Sequence, residues 1–123
     1  RANYTAHTGI YTYDTSAQDG YHPNYDDDPP PYTSPVGTFA PNGYGLYDMT
    51  GNLREWCEDV YVDSYEGTPT DGSAQTSGGS NRVHRGGGWK SSARNVRSAS
   101  RLGHLPSSPY RNLGFRVCLG RSR

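Results

Sequence analysis

The sequence is poor in aliphatic side chains, and this shapes what it can fold into. Leucine, isoleucine, valine and phenylalanine contribute only 15 of 123 residues, a level at which chains of high net charge are usually disordered. The net charge is zero, however, and 11 Tyr and 2 Trp supply large side chains that can be buried. We therefore expect one loop-rich domain over residues 1–123, since a chain of this length rarely builds two cores.

Long apolar runs and cysteine are also scarce. No run approaches the roughly 20 residues that cross a bilayer, and no signal-peptide pattern opens the sequence. We therefore expect a soluble domain with no membrane partner and no targeting segment in this chain. Cys57 and Cys118 are too few for a disulfide framework and leave the compartment open. Their apolar neighbours favour buried packing roles.

Charge is balanced overall but divided along the chain. Residues 1–80 carry a net charge of −10 and residues 81–123 one of +10. The plain interpretation is that the arginine-rich end pairs with acids and backbone carbonyls of the first part, since guanidinium groups suit such partners. A nucleic-acid surface is the disfavoured alternative, because the bases form no helical stripe or recognised motif.

Turn-forming residues dominate, so we predict short elements only. Strands are predicted at residues 10–13, 52–59 and 82–85, with a short extended piece at 46–48. A last strand is predicted at 112–119, in which Leu113, Phe115 and Val117 alternate inward. The glycines at 86–88 predict a close backbone approach beneath Trp89.

Two long motifs carry the strongest signal. Residues 35–56 read PVGTFAPNGYGLYDMTGNLREW, and residues 82–89 read RVHRGGGW, followed by RSASR at 97–101 and NLGFR at 112–116. In this order they resemble the two signatures of the formylglycine-generating enzyme, or sulfatase-modifying factor, family. The resemblance implies an α+β, irregular and loop-rich C-type lectin-like fold with little regular secondary structure. The chain, which begins at Arg1 without Met, would be the C-terminal portion of such a domain. The missing amino-terminal part of the same domain would then be one of its partners.

The first motif offers hard oxygen ligands. Carboxylates with turn carbonyls between them give the coordination that Ca²⁺ accepts. The resemblance implies two structural calcium sites: one from the side chains of Asp48 and Glu55 with the carbonyls of Gly51 and Leu53, the other from Asn3, Tyr4, Asp28 and Pro30. Asp26 and Asp27 compete with Asp28, so the register of the second site stays open. The plain alternative is that Asp48 and Glu55 cap turns or pair with late arginines.

The sequence differs from the family at the positions that carry the catalytic cysteines. Family enzymes oxidise a sulfatase cysteine with copper and oxygen, through two cysteines that follow the second motif. This sequence has Ser91 and Val96 at those positions, and neither supplies the thiolate that Cu(I) requires. We therefore expect no copper and assign no catalytic residue. The alternative is a sulfatase-modifying enzyme or a divergent oxidase of the same superfamily with other site chemistry.

A second resemblance fits this departure. Residues 92–101 with 112–116 are similar to the variable region of diversity-generating retroelement proteins, noncatalytic binders that share the fold. The resemblance implies a variable ligand-binding surface formed by Trp89, Lys90, Ser91, Ser92, Ser100, Leu102, His104, Leu105, Ser107, Ser108 and Tyr110. Its mixture of apolar, charged and small polar side chains is typical of a paratope. We expect a protein or other macromolecular surface as its ligand, and an ordinary exposed loop is the plain alternative.

Overall fold

A computed structural model describes residues 2–26 and 32–118. Four short strands form one mixed sheet: β1 (Arg54–Val60), β2 (Arg82–Arg85), β3 (Leu102–His104) and β4 (Leu113–Gly114). Their order is β3-β2-β1-β4, with β1 antiparallel to β2, β2 antiparallel to β3, and β1 parallel to β4. Two 3-10 helices, Pro23–Tyr25 and Ala93–Val96, are the only helices in the described ranges. The result is a small, loop-rich mixed sheet with little helix.

Two of the predicted strands are confirmed and two predictions are wrong. β1 and β2 occupy the predicted positions, and residues 46–48 join no strand. Residues 10–13 form turns instead of a strand, with Ile10 66% exposed. The last strand ends at Gly114, and Phe115 and Val117 are 77% and 83% exposed rather than inward. β4 makes only two residue pairs with β1, and the pairing ends at Gly114.

The described core is small and unusually polar. Its buried apolar residues are Ala6, Val60, Val83, Trp89, Ala93 and Val96, and six polar residues are buried with them: Asn3, Asp14, Ser34, Asn52, His84 and Ser91. With so few aliphatic side chains available, hydrogen bonds from buried polar side chains to the backbone must hold the loops together.

Asn52 shows how such a polar residue organises the loops. Its side chain accepts the amide of Ser34 at 2.9 Å and donates to the carbonyl of Ser34 at 3.1 Å. Its backbone donates to the carbonyl of Asn3 at 2.7 Å and accepts the amide of Trp89 at 2.8 Å. Asn52 therefore joins three segments that are distant in sequence, from a backbone with φ of 63° that asparagine tolerates better than most residues.

The glycines before Trp89 allow the predicted close approach. A Cβ added to Gly88 would lie 3.2 Å from the carbonyl oxygens of both Asn52 and Asn112, and one added to Gly87 would lie 2.6 Å from Cγ1 of Val96. Larger residues would push the chain away from β1, so these glycines fix where Trp89 enters the core.

The late arginines bind carbonyls and aromatic rings more than acids. Arg82 donates to the carbonyl of Glu58, and Arg101 donates to that of Asp63. Arg101 also lies over the rings of Tyr61 and Tyr65 at 4.7 and 4.3 Å. Within residues 2–26 and 32–118 there is one ion pair, between Arg116 and Glu55. The expected attraction between the two parts therefore acts mainly through backbone carbonyls.

Both cysteines are free, and no membrane-spanning element is seen. Cys57 is half-buried, but Cys118 is exposed, so the predicted packing role is wrong for Cys118. None of the helices in the described part of the chain has the length and apolar character needed to cross a bilayer.

Candidate functional site: a cavity beside Trp89 and a carboxylate pocket

An open cavity of about 600 Å³ lies beside Trp89. It is lined by Tyr21, Tyr32, Arg54, Trp89, Lys90, His104, Pro109, Tyr110, Arg111 and Asn112. The ring of Trp89 is 3% exposed and receives edge-on contacts from Tyr32 at 4.8 Å and Tyr21 at 5.6 Å, while these two tyrosines stack on each other at 4.7 Å. Such interlocked rings give the cavity a rigid aromatic wall.

The structure divides the predicted ligand-binding set. Trp89, Lys90, His104 and Tyr110 line the cavity. Other members are at least partly exposed: Ser92, Ser100, Leu102, Leu105, Ser107 and Ser108. Trp89 and Ser91, at 3% and 2% exposure, are buried. Ser91 therefore supports the surface from beneath the glycine turn, whereas Trp89 presents only a small part of its ring to the cavity.

A histidine pair connects the cavity to the core. Nε2 of His84, on β2, lies 2.7 Å from Nδ1 of His104, on β3, and the rings stack with centroids 4.9 Å apart. The ring of His104 also contacts the ring of Tyr110, with centroids 4.4 Å apart. Burial, together with the nearby charges of Arg54 and His104, lowers the pKa of His84 to about 4. His84 is therefore neutral at physiological pH and holds His104 in position at the cavity.

Arg54 is the half-buried cation of this cavity. Its Nη2 lies 3.4 Å from Oγ of Ser91, while its Nε is buried with no hydrogen-bond partner. Burial lowers the pKa of Arg54, although a guanidinium remains charged throughout the physiological range. The arrangement can bind an anion and offers aromatic surface beside it.

The predicted first calcium site falls at a second cavity, of about 450 Å³. Its lining includes Asp48, Leu53 and Glu55. Asp48 has φ of 55°, and its Oδ2 accepts the amide of Gly37 at 2.7 Å, whereas its Oδ1 is buried without a partner. Both carboxylate oxygens of Glu55 accept bonds from Arg116 at 2.8 Å. The two predicted side chains therefore line the same cavity, and one buried oxygen, Oδ1 of Asp48, lacks a donor.

Two further observations concern the ligands of the predicted first calcium site. Gly51 is buried and does not line the cavity. The described residues contain no group of three or more His, Cys, Asp or Glu side chains placed to hold a metal ion. A cation at Asp48 would therefore depend on backbone carbonyls as well as carboxylates, an arrangement that Ca²⁺ accepts.

Half of the predicted second calcium site can be placed. Asn3 is 1% exposed, and its amide donates to the carbonyl of Tyr32 at 2.8 Å. The hydroxyl of Tyr4 donates to Oδ1 of Asp14 at 2.7 Å. The other two predicted ligands, Asp28 and Pro30, lie outside the described residues.

Comparison with protein families explains the two motifs. Residues 2–120 match the family model described as the sulfatase-modifying factor enzyme 1-like domain. The chain belongs to this family. Among curated relatives, it is 42% identical over 94 residues to the serine/threonine-protein kinase pkn1 of Chlamydia caviae, and 39% identical over 87 residues to the formylglycine-generating enzyme of Mus musculus. These matches cover 72% and 68% of the chain but only 15% and 23% of the relatives.

Solved structures of similar proteins agree with this assignment to the sulfatase-modifying factor family. PvdO from Pseudomonas aeruginosa superposes with a TM-score of 0.65 at 42% identity, covering 68% of the chain and 32% of PvdO. Treponema denticola variable protein 1 gives a TM-score of 0.60 at 41% identity, covering 68% of the chain and 30% of that protein. The fold therefore follows that of the family, and the chain spans about a third or less of each relative.

Within this family, the two positions expected to hold cysteine serve the interior here. The hydroxyl of Ser91 accepts the amide of Gly88 at 3.0 Å, and Val96 is 7% exposed against the glycine turn. Both side chains help to fold the turn that carries Trp89. Neither offers a thiolate.

Several cavity residues were not predicted from the sequence. Tyr21, Tyr32, Arg54 and Arg111 line the cavity, although the sequence motifs indicate no role for them. One signal could have found Arg54: successive residues of a strand point to opposite faces. Since Glu55 was predicted on the calcium side, the preceding arginine had to face the other side.

Proposed function

We propose that this chain is a noncatalytic ligand-binding domain with a C-type lectin-like fold, which displays a variable binding surface over residues 89–110. The observation that carries the proposal is the bond from the Gly88 amide to the Ser91 hydroxyl. It gives a structural task to the position where family enzymes keep a reactive cysteine. The open cavity that gathers Lys90, His104 and Tyr110 beside it supports recognition as the remaining function.

The similarity to Treponema denticola variable protein 1 supports the same proposal. The similarity to formylglycine-generating enzymes supports the alternative, a sulfatase-modifying enzyme or divergent oxidase. Incubating the protein with copper, oxygen and a cysteine-containing sulfatase peptide separates the two. We expect the peptide mass to stay unchanged, and conversion of its cysteine to formylglycine would replace the binding proposal with the enzymatic one.

Removing the exposed apolar side chains of the surface should abolish binding. Leu102, Leu105 and Tyr110 are 39%, 46% and 44% exposed, and a few such side chains usually carry most of the energy of an interface. Peptides selected from a displayed random library on the immobilised wild-type domain are expected to bind the Leu102→Ala, Leu105→Ala, Tyr110→Ala variant about 100-fold more weakly. Biolayer interferometry measures the change.

A triple substitution elsewhere provides the matched control. Ile10, Val36 and Tyr44 are 66%, 90% and 90% exposed and lie outside residues 89–110, so their replacement by alanine should leave the affinity unchanged. Equal binding of the selected peptides to both triple variants would contradict the proposed surface. An affinity that falls steeply with salt for oligonucleotides, and not for peptides, would instead identify a nucleic-acid partner.

We further propose that Ca²⁺ stabilises the domain at the first site, where the side chains of Asp48 and Glu55 and the carbonyls of Gly51 and Leu53 would hold it. The buried, unpartnered Oδ1 of Asp48 supports this fit. The carboxylate of Glu55 would then be shared between the ion and Arg116. A second ion at Asn3, Tyr4, Asp28 and Pro30 is proposed from the family resemblance and would be counted as a second equivalent by calorimetric titration.

The Asp48→Ala variant tests the first calcium site. An ion bound only to the folded state adds about 2.7 kcal/mol when present at 100 times its Kd. We expect calcium to raise the melting temperature of the wild type and to have a smaller effect on Asp48→Ala. The control is Asp71→Ala, at an exposed carboxylate that caps Ser73. If calcium and chelator leave the wild-type melting temperature unchanged, the site does not bind calcium.

A further inference from the structure

We propose that the cavity beside Trp89 binds a carboxylate that is carried next to an aromatic ring, and that Arg54 is the residue that holds it. This inference rests on the proposed ligand-binding function in one respect only: that function would provide the larger molecule that carries the carboxylate. The carboxylate site itself is defined by the chain's own residues, so it can be tested with small molecules.

The charge of the cavity lining is the first argument. Arg54, Lys90 and Arg111 contribute three cations to it, and none of the ten lining residues is an acid. The ion pair of Arg116 with Glu55 involves none of these cations and is the only one among residues 2–26 and 32–118. A concave site lined by one sign of charge raises the local concentration of the opposite ion.

The surroundings of Arg54 are the second argument. It is half-buried on β1, its Nε has no acceptor, and its Nη2 has only the long contact of 3.4 Å with the Ser91 hydroxyl. The neighbouring acid, Glu55, lines the other cavity and is bound by Arg116. A charge withdrawn from water costs free energy unless it is paired. A carboxylate, which can accept two parallel hydrogen bonds from a guanidinium, is the partner that fits.

The aromatic wall decides what accompanies the carboxylate. Tyr21, Tyr32, Trp89 and Tyr110 line the same cavity as Arg54. Its volume of about 600 Å³ is within the range of small-molecule sites, roughly 300 to 1,000 Å³. Aromatic rings favour offset or edge-on packing against another ring. The wall and the cations together favour an aryl acid, either free or as an acidic side chain beside an aromatic one in a protein.

Paired acid and amide probes test this assignment directly. Phenylacetate and phenylacetamide differ in charge but hardly in shape, as do the blocked peptides acetyl-Tyr-Glu-Tyr-amide and acetyl-Tyr-Gln-Tyr-amide. Titrations followed by two-dimensional NMR should show each acid binding at least roughly tenfold more tightly than its amide, which is the factor expected for one charged hydrogen bond. If only the peptides show this preference for the acid, the natural carboxylate belongs to a macromolecule. If only phenylacetate and phenylacetamide show it, the carboxylate belongs to a free metabolite.

Arg54 variants distinguish this residue from the general positive charge. Arg54→Gln should reduce the affinity for phenylacetate, or for the glutamate peptide where that is the probe that binds, about tenfold or more. Arg54→Lys, which keeps the charge without the planar group, should have an intermediate effect. Arg97→Gln is the control, because this exposed arginine bonds the carbonyl of Arg94 and does not line the cavity. Should Arg54→Gln fail to fold in a thermal melt, Arg54→Lys carries the comparison.

Two results would overturn the proposal. One is equal affinity of the wild type for acid and amide in both probe pairs. The other is unchanged acid binding by a folded Arg54 variant. Neither depends on the peptides selected for the 89–110 surface, so the carboxylate site and the proposed function fail separately. Unchanged peptide binding by the Leu102, Leu105 and Tyr110 variant would contradict the proposed surface and would leave the phenylacetate result of the wild type standing.

Discussion

Replacing Gly51 by alanine is expected to remove a substantial part of the domain's stability. Gly51 has φ of 80°, in the left-handed region that costs other residues about 1–2 kcal/mol. Its added Cβ would also overlap the carbonyl oxygen of Asn3 and lie 2.9 Å from the carbonyl carbon. Overpacking of this kind costs a further 1–3 kcal/mol or so. The sum, about 2–5 kcal/mol, is a substantial part of the 5–15 kcal/mol typical of whole domains.

The overlap cannot be relieved locally, because the backbone of Asn3 is held from several sides. Its carbonyl accepts the amide of Asn52 at 2.7 Å, and its side chain donates to the carbonyl of Tyr32. The amide of Gly51 in turn donates to the carbonyl of Gly86 at 2.8 Å. A shift of Asn3 would therefore disturb the segments before β1, before Trp89 and around Tyr32 together.

Gly45→Ala is the matched control for the Gly51 substitution. Gly45 has nearly the same φ, 76°, but a Cβ there meets no atom within 4 Å. Urea unfolding should show a loss of about 1–2 kcal/mol for Gly45→Ala, the cost of the backbone conformation alone. The difference between the two variants measures the contact with Asn3. Equal losses would show that this contact contributes nothing. Because Gly51 is also a proposed calcium ligand, the comparison is made in chelator.

The sequence could predict this fold only where the pattern is local. β1 and β2 were predictable because the motifs around Glu55 and His84 place strand-forming residues between turn signals. The segment 112–119 has the same alternation, yet its pairing stops at Gly114, after which the side chain of Arg116 binds Glu55 and the carbonyl of Tyr47. Whether a strand continues depends on a neighbouring strand, and alternation within one segment does not contain that information.

The candidate site was predictable in part for the same reason. The position of His104 in a variable segment suggested exposure, but its bond to the buried His84 arises from the pairing of β2 with β3. Tyr21 and Tyr32 reach Trp89 across more than 50 residues, through a region whose composition indicated only loops. Burial of Ser91 could not be inferred from its residue type, since serine is common both on surfaces and in turns. Long-range packing, rather than local preference, decides these placements.

Lowering the pH from 6.5 to 4 is expected to destabilise the domain by about 3 kcal/mol through His84. The ring is 2% exposed, and burial with the nearby Arg54 and His104 lowers its pKa from 6.5 to about 4. Below pH 6.5 the unfolded chain binds a proton at this position while the folded protein does not. Each pKa unit corresponds to 1.36 kcal/mol, so stability is full above pH 6.5 and falls until about pH 4.

A second group acts in a separate, lower pH range. Burial opposes ionisation of Asp14, but hydrogen bonds from the His7 amide, the Ser16 hydroxyl and amide and the Tyr4 hydroxyl outweigh it and lower its pKa from 3.8 to about 2. The stability that the Asp14 carboxylate contributes is therefore present above pH 3.8 and lost as the pH falls towards 2. An Asp14→Asn variant should still lose stability between pH 6.5 and 4. Below pH 4 it should lose less stability than the wild type does.

Urea unfolding of His84→Gln across this pH range identifies the responsible group. Glutamine keeps a polar side chain that can bond His104 but binds no proton, so the dependence of stability on pH between 6.5 and 4 should flatten, whatever its stability at pH 7. His7→Gln removes a histidine outside the pair and should retain the wild-type slope. If His84→Gln kept that slope as well, the proton uptake would belong to another group. Because Arg54 and His104 face His84 from the cavity side, an anion bound at Arg54 would weaken the repulsion that opposes protonation of His84.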